Sequence, residues 1–66
     1  MIELIQKTAD RYESEDGNLI LTREVNEHGA LKWVLRKEGE IIDHGSFRND
    51  IAEMNNIYLV GFGEDK

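Results

Sequence analysis

Asp43, His44 and Ser46 place an acid, an imidazole and a hydroxyl close together in the segment "IIDHGSF". A nucleophilic triad uses these three groups, and its histidine must contact the hydroxyl with one ring nitrogen and the carboxylate with the other. The segment is typical of a β-strand, where successive side chains point to opposite faces. His44 and Ser46 would then share a face while Asp43 points away. The segment therefore predicts no catalytic site.

Other kinds of catalytic or metal site are equally poorly supported. The two histidines and Asp43 lack the short ligand spacing of a metal site. A twelve-residue calcium loop that ends at Glu24 would begin at Glu13, and this puts Asn18 where the sixth position requires glycine. So short a chain also has little room for the water-excluding pocket that acid–base catalysis needs. We predict a protein that is not an enzyme and that uses no metal or cofactor.

The composition indicates one small globular domain. The chain has 66 residues, of which 39% are hydrophobic and 33% charged, and it has neither cysteine nor proline. A domain of this size buries only ~60% of its unfolded surface, so partner binding is a natural source of extra stability. We expect a single domain over residues 1–60 and a flexible tail over 61–66. The N-terminal "MIELIQKTADR" lacks the basic start and apolar run of a signal peptide, which predicts a cytoplasmic protein.

Three strands with short connections are predicted in the middle of the chain. The segments 18–25 and 30–37 alternate apolar and polar residues, and 40–47 follows after a tight turn. Glycine-containing turns separate the three segments. Such short turns join antiparallel strands only. A further strand over about 9–14 would extend this meander, whereas the pattern of residues 2–8 does not decide between a helix and a strand.

A helix is predicted to follow the strands. In "RNDIAEMNNIYL", Ile51, Met54 and Ile57 recur at helical spacing, and Asn49 or Asp50 is placed to cap the first turn. We expect a helix from about 49 to 58 on one face of the sheet. The predicted fold is therefore α+β, a three- to four-stranded antiparallel β-meander with one C-terminal helix packed on one face.

The charges favour a protein partner over a nucleic acid. The 14 acidic and 8 basic residues give a net charge of −6, which repels nucleic acid on average. The candidate partner-binding residues form an acidic surface that consists of Glu13, Glu15, Asp16, Glu38 and Glu40. A DNA strand carries one charge per ~3.4 Å, whereas carboxylates two residues apart in a strand recur every ~6.7 Å. Mimicry of DNA would therefore require the two acidic segments to lie side by side.

Two alternatives use other surfaces. A nucleic acid could bind a sheet face that carries Arg23, Lys32, Trp33 and Arg36, since aromatic residues on a sheet can stack bases. The single tryptophan is, however, expected to fill the core. A free strand edge could instead pair with a second copy of the chain, giving a homodimer or a self-assembling structural subunit.

The whole chain resembles a class of small acidic proteins that bacteriophages and other mobile elements encode, which includes anti-CRISPR and anti-restriction inhibitors. The segments that carry this resemblance are "DRYESEDGNLILTR", "GALKWVLRKEGEII" and "SFRNDIAEMNNI". The resemblance implies a non-enzymatic inhibitor that binds and blocks a host defence or nucleic-acid-processing complex. It further implies that the acidic surface occupies a DNA-binding channel.

Overall fold

The computed structural model describes residues 1–61, which form one mixed β-sheet and one short helix. The sheet has six strands, in the order β5-β4-β3-β2-β1-β6. The α+β class is thus confirmed, but the predicted three- to four-stranded meander is too small. The elements in chain order are β1 (Ile2–Thr8), β2 (Arg11–Ser14), β3 (Leu19–Val25), β4 (Leu31–Lys37), β5 (Glu40–Gly45), α1 (Arg48–Met54) and β6 (Ile57–Val60).

The central strands β3, β4 and β5 form the predicted antiparallel meander. Their alternation sets the register, with Leu21 opposite Leu35 on the face that the helix covers. Glu38 and Gly39 connect β4 to β5 with φ angles of 54° and 90°. This left-handed pair matches the twist of a two-residue hairpin, and glycine adopts it without steric penalty.

The sheet is larger than predicted because both ends of the chain add to it. Residues 2–8, whose sequence pattern does not decide between a helix and a strand, form β1 and pair antiparallel with β2. The strand β6 then pairs with β1 in parallel, with Ile2 opposite Ile57. The C-terminal part of the predicted helix therefore forms the sixth strand of the sheet.

The helix is shorter than predicted and is capped differently. It begins at Arg48, and its N-cap is Phe47, whose side chain cannot accept a hydrogen bond; Asn49 and Asp50 are therefore not caps. The helix ends at Met54 because the chain enters the left-handed region at Asn56, where φ is 59°. Asparagine tolerates this conformation better than most residues and thus allows the chain to leave the helix for β6.

The core lies between one face of the sheet and the helix. Leu4, Leu21 and Leu35 are fully buried, and α1 adds Ile51 and Ala52 to the same cluster. Within residues 1–61, no helix is long and apolar enough to cross a membrane. Of the predicted flexible tail, residues 62–66 lie outside the described part of the chain.

The tryptophan prediction is confirmed, because Trp33 is buried on the face that packs against the helix. Its ring contacts Tyr12 edge to face, with the two centroids 6.0 Å apart. The outer sheet face, which points away from the helix, carries the alternate residues of each strand, including Val34 opposite Thr22.

Candidate protein-binding surface

Two acidic turns lie next to each other at one end of the sheet. The β2–β3 turn contains Glu15 and Asp16, and the β4–β5 turn contains Glu38 and leads into Glu40. The Glu38 backbone N–H donates a hydrogen bond to the Asn18 carbonyl at 2.8 Å, which ties the two turns together. We call the four residues Glu15, Asp16, Glu38 and Glu40 the acidic end. All four are exposed.

Asp16 holds the β2–β3 turn in place. Its carboxylate accepts hydrogen bonds from the Asn18 backbone N–H at 3.0 Å and from the Ser14 hydroxyl at 2.7 Å. These two donors, the Asn18 N–H first, hold the pKa of Asp16 below its usual value. The Ser14 hydroxyl also accepts a hydrogen bond from the Leu19 backbone N–H at 3.0 Å. The carboxylate of Asp16 is therefore fixed in position, and it keeps its charge to a lower pH than an ordinary aspartate does.

Glu13 does not belong to the acidic end. It lies within β2, opposite Ile20 of β3 and Ile5 of β1. Its carboxylate accepts a hydrogen bond from Arg11 at 2.5 Å. Of the five acids that the sequence predicted to act together, the structure thus brings four to one end and places the fifth on the outer sheet face.

The four residues of the predicted nucleic-acid face are split between the two sides of the sheet. Arg23 and Trp33 lie opposite each other on the helix side, whereas Lys32 and Arg36 are on the outer side. Arg23 contacts Asp10 at 2.5 Å, and Arg36 contacts Glu24 at the same distance. The four residues therefore form no common surface, and two of their charges are paired.

The outer-face ion pair forms a small network with Thr22. Glu24 accepts hydrogen bonds from Arg36 and, at 2.8 Å, from the Thr22 hydroxyl. These two donors, Arg36 first, lower the pKa of Glu24, and the same carboxylate raises the pKa of Arg36. Val34 is only 3% exposed although it points away from the core.

Arg48 has a structural role that the sequence did not reveal. Its guanidinium carbon lies 5.6 Å from the Trp33 ring centroid and 6.0 Å from that of Tyr12. Arg23 approaches the same indole at 5.7 Å. The contact depends on a sheet residue and a helix residue that are 15 positions apart in sequence, so no local pattern could have indicated it.

Asp43, His44 and Ser46 are not arranged as a triad. The Asp43 carboxylate accepts hydrogen bonds from the His44 backbone N–H and from the Asn55 side chain, each at 2.8 Å. His44 lies opposite Val34 on the outer face. As the alternation predicted, the acid and the imidazole point to different sides. In the described part of the chain, no three His, Cys, Asp or Glu side chains cluster so as to hold a metal ion.

An open groove of about 640 Å³ lies at the acidic end, between the start of β1 and the β2–β3 turn. Its apolar lining is Met1, Ile2, Ile5 and Leu19, and its charged lining consists of Glu3, Glu15, Asp16 and Lys37. The sequence did not indicate this groove, because the pattern of residues 2–8 does not decide between a helix and a strand. Comparison of the chain with protein-family models, with curated proteins and with solved structures gives no match.

Proposed function

We propose that this protein is a non-enzymatic binding module that docks its acidic end onto a basic protein surface. In the form that the sequence resemblance suggests, it is a cytoplasmic inhibitor that blocks a host defence or nucleic-acid-processing complex. The observation that carries the proposal is the juxtaposition of two acidic turns, fixed by the hydrogen bond from Glu38 to Asn18. Four exposed carboxylates at one end of a small sheet suit electrostatic attraction to a basic channel.

The spacing of the carboxylates supports partial mimicry of a nucleic-acid backbone. The two turns join four successive strands of the sheet. Since neighbouring strands lie ~4.8 Å apart, the turn centres are separated by roughly 10 Å. A DNA strand would place about three phosphates over that distance. Four carboxylates across the two turns give a comparable charge, and none of them forms an ion pair within residues 1–61.

The nucleic-acid-binding alternative receives less support. It requires Arg23, Lys32, Trp33 and Arg36 to act on one ligand, but these residues occupy two faces. The indole that was to stack a base is 5% exposed. Base stacking on a sheet needs exposed ring faces. Binding to a basic protein is therefore the better hypothesis.

A charge-reversal experiment tests the proposal. The variant that combines Glu15→Lys and Glu38→Lys changes two residues of the acidic end, and the control variant combines Glu27→Lys and Glu53→Lys. Each pair of changes raises the net charge from −6 to −2. All four positions are exposed. Immobilised wild type, variant and control are incubated with nuclease-treated bacterial lysate, and the captured proteins are quantified after washes of increasing salt.

We expect wild type and control to capture the same partner and the acidic-end variant to lose it. The partner should elute with salt, because exposed charges are screened. Duplex DNA added to the captured complex should displace it if the acidic end occupies a nucleic-acid channel. Equal capture by the acidic-end variant and the control would contradict the proposal.

A further inference from the structure

The groove at the acidic end exists because β2 stops one residue too early to fill it. The β1–β2 register pairs Leu4 with Ser14 and Ile5 with Glu13. If β2 continued, Glu15 would lie beside Glu3. Instead the chain turns, and the Gly17 N–H donates a hydrogen bond to the Ser14 carbonyl at 3.0 Å. The position next to Glu3 in the sheet is left open.

The backbone of Glu3 faces this open position. The Ile2 N–H donates to the Asn56 carbonyl at 3.2 Å and thereby points towards β6. Successive residues of a strand direct their backbone groups to opposite neighbours, so Glu3 directs its N–H and C=O towards the groove. One residue of an extended segment could pair with Glu3 there, as peptides do when they add to a sheet.

The side chains around the groove define which segment would fit. Ile2 and Ile5 line it from opposite faces of β1 and are 46% and 40% exposed. They stand beside the carboxylates of Glu3, Glu15 and Asp16. Lys37 is the one basic side chain among the lining residues. The groove thus combines an apolar floor with an excess of negative charge.

We propose that this groove binds a short extended segment of a partner protein in which an apolar side chain stands between basic ones. The residue paired with Glu3 would direct its basic side chain to the face of Glu3, and the next residue would direct its apolar side chain to the opposite face, against Ile2. This inference rests on the proposed function, because it places the anchor point of a basic partner within the acidic end. It adds an apolar contact that charge alone does not supply.

Two synthetic peptides test the inference, acetyl-KKLKK-amide and acetyl-KKSKK-amide. Each is titrated into the isotope-labelled full chain while backbone amide shifts are recorded by NMR. Burial of a leucine side chain corresponds to at least a ~10-fold gain in affinity, so KKLKK should bind that much more tightly than KKSKK. The largest shifts should fall at residues 2–5 and 14–19.

Matched variants locate the contact. Ile2→Thr keeps a β-branched residue in the groove but removes apolar surface, and it should abolish the preference for KKLKK. The control Ile41→Thr changes an isoleucine that is 56% exposed and lies outside the groove, and it should leave the preference intact.

Two results would overturn the inference. Equal affinity for the two peptides would mean that charge alone attracts them, and absence of binding by both would mean that the groove does not take this class of segment. Neither result bears on the partner capture that tests the proposed function. Conversely, undiminished capture by the Glu15→Lys and Glu38→Lys variant would contradict the proposed function whatever the peptides do.

Discussion

Replacement of Arg48 by alanine tests how far one exposed side chain stabilises the core. The Arg48 guanidinium lies within 6.0 Å of both the Trp33 and the Tyr12 ring centroids. A cation–π contact at an exposed site contributes about 0.5–1 kcal/mol. Two such contacts amount to about 1–2 kcal/mol, which we expect as the decrease in the free energy of unfolding. A domain of this length has a total of roughly 3–10 kcal/mol, so the decrease is a substantial share.

The single tryptophan makes the measurement direct. Trp33 is 5% exposed, and its fluorescence reports both unfolding and local exposure to water. Urea unfolding followed by this fluorescence gives the free energy of unfolding. Under native conditions, the emission of Arg48→Ala should shift to longer wavelength, because the truncated side chain no longer covers the indole.

The variant Arg48→Met separates the effect of the positive charge from the effect of covering the Trp33 indole. Methionine retains much of the apolar length of arginine but carries no charge, so it removes the cation–π attraction and keeps the indole covered. Arg48→Met should therefore lose less stability than Arg48→Ala and should retain the native emission maximum. If Arg48→Ala has the stability and emission of the wild type, the guanidinium does not contribute to the core and the reasoning is refuted.

Three further predictions concern the core, the outer face and the edge of the sheet. Leu35→Ala should lower the free energy of unfolding by about 2–5 kcal/mol, since the side chain is fully buried; circular dichroism during urea unfolding would measure this, and a loss below 1 kcal/mol would contradict it. Arg36 and then Thr22 lower the pKa of Glu24. The charged carboxylate therefore contributes its full stabilisation at a pH above its ordinary pKa, and this stabilisation is lost as the pH falls through the lowered pKa. Both side chains of this ion pair are about a third or more exposed. Glu24→Gln should therefore change the decrease in the free energy of unfolding between pH 6 and pH 2 by less than ~1 kcal/mol, as urea unfolding at each pH would show. Asp43→Ala should speed hydrogen exchange at the His44 amide, which loses its acceptor; unchanged exchange would contradict this.

The central meander was predictable because its information is local. Alternation in β3 and β4 and the glycine turns between strands determine pairing over short distances. The same alternation predicted that Asp43 and His44 point to opposite sides, a consequence of the period of two residues in a strand that requires no knowledge of the rest of the chain. The burial of Trp33 was expected for a different reason, because the single tryptophan of a small domain fills its core.

The outer part of the sheet was not predictable because its contacts are distant in sequence. The strand β1 pairs with β6 across more than fifty residues, Ile2 with Ile57. The apolar residues of β1 fit a helical stripe as well as a strand, so the partner decides the outcome. The end of the helix is nevertheless indicated by the sequence, because two consecutive asparagines precede "IYLV". This run of β-branched and aromatic residues favours a strand.

The acidic end combines both kinds of information. The acids of each turn are evident in the sequence, but their proximity follows from the β3–β4 pairing that sets Asn18 beside Glu38. Glu13 was grouped with Glu15 because they are neighbours in the chain. In β2 its side chain instead faces the outer sheet surface, where Arg11 pairs with it.

The edges of the sheet are less suited to binding than its acidic end. An open edge offers unpaired backbone groups to any other strand, and proteins protect such edges with bulges and short strands. The edge strand β5 has an irregular register beside Leu35 and Arg36. The His44 backbone N–H already donates a hydrogen bond to the Asp43 carboxylate. The opposite edge strand, β6, has only four residues. Since both edges are short or irregular, we expect pairing of two copies through an edge to be less favourable than binding at the acidic end. The open position beside Glu3 is different, because it adjoins exposed isoleucines and carboxylates and therefore favours one kind of partner segment over others.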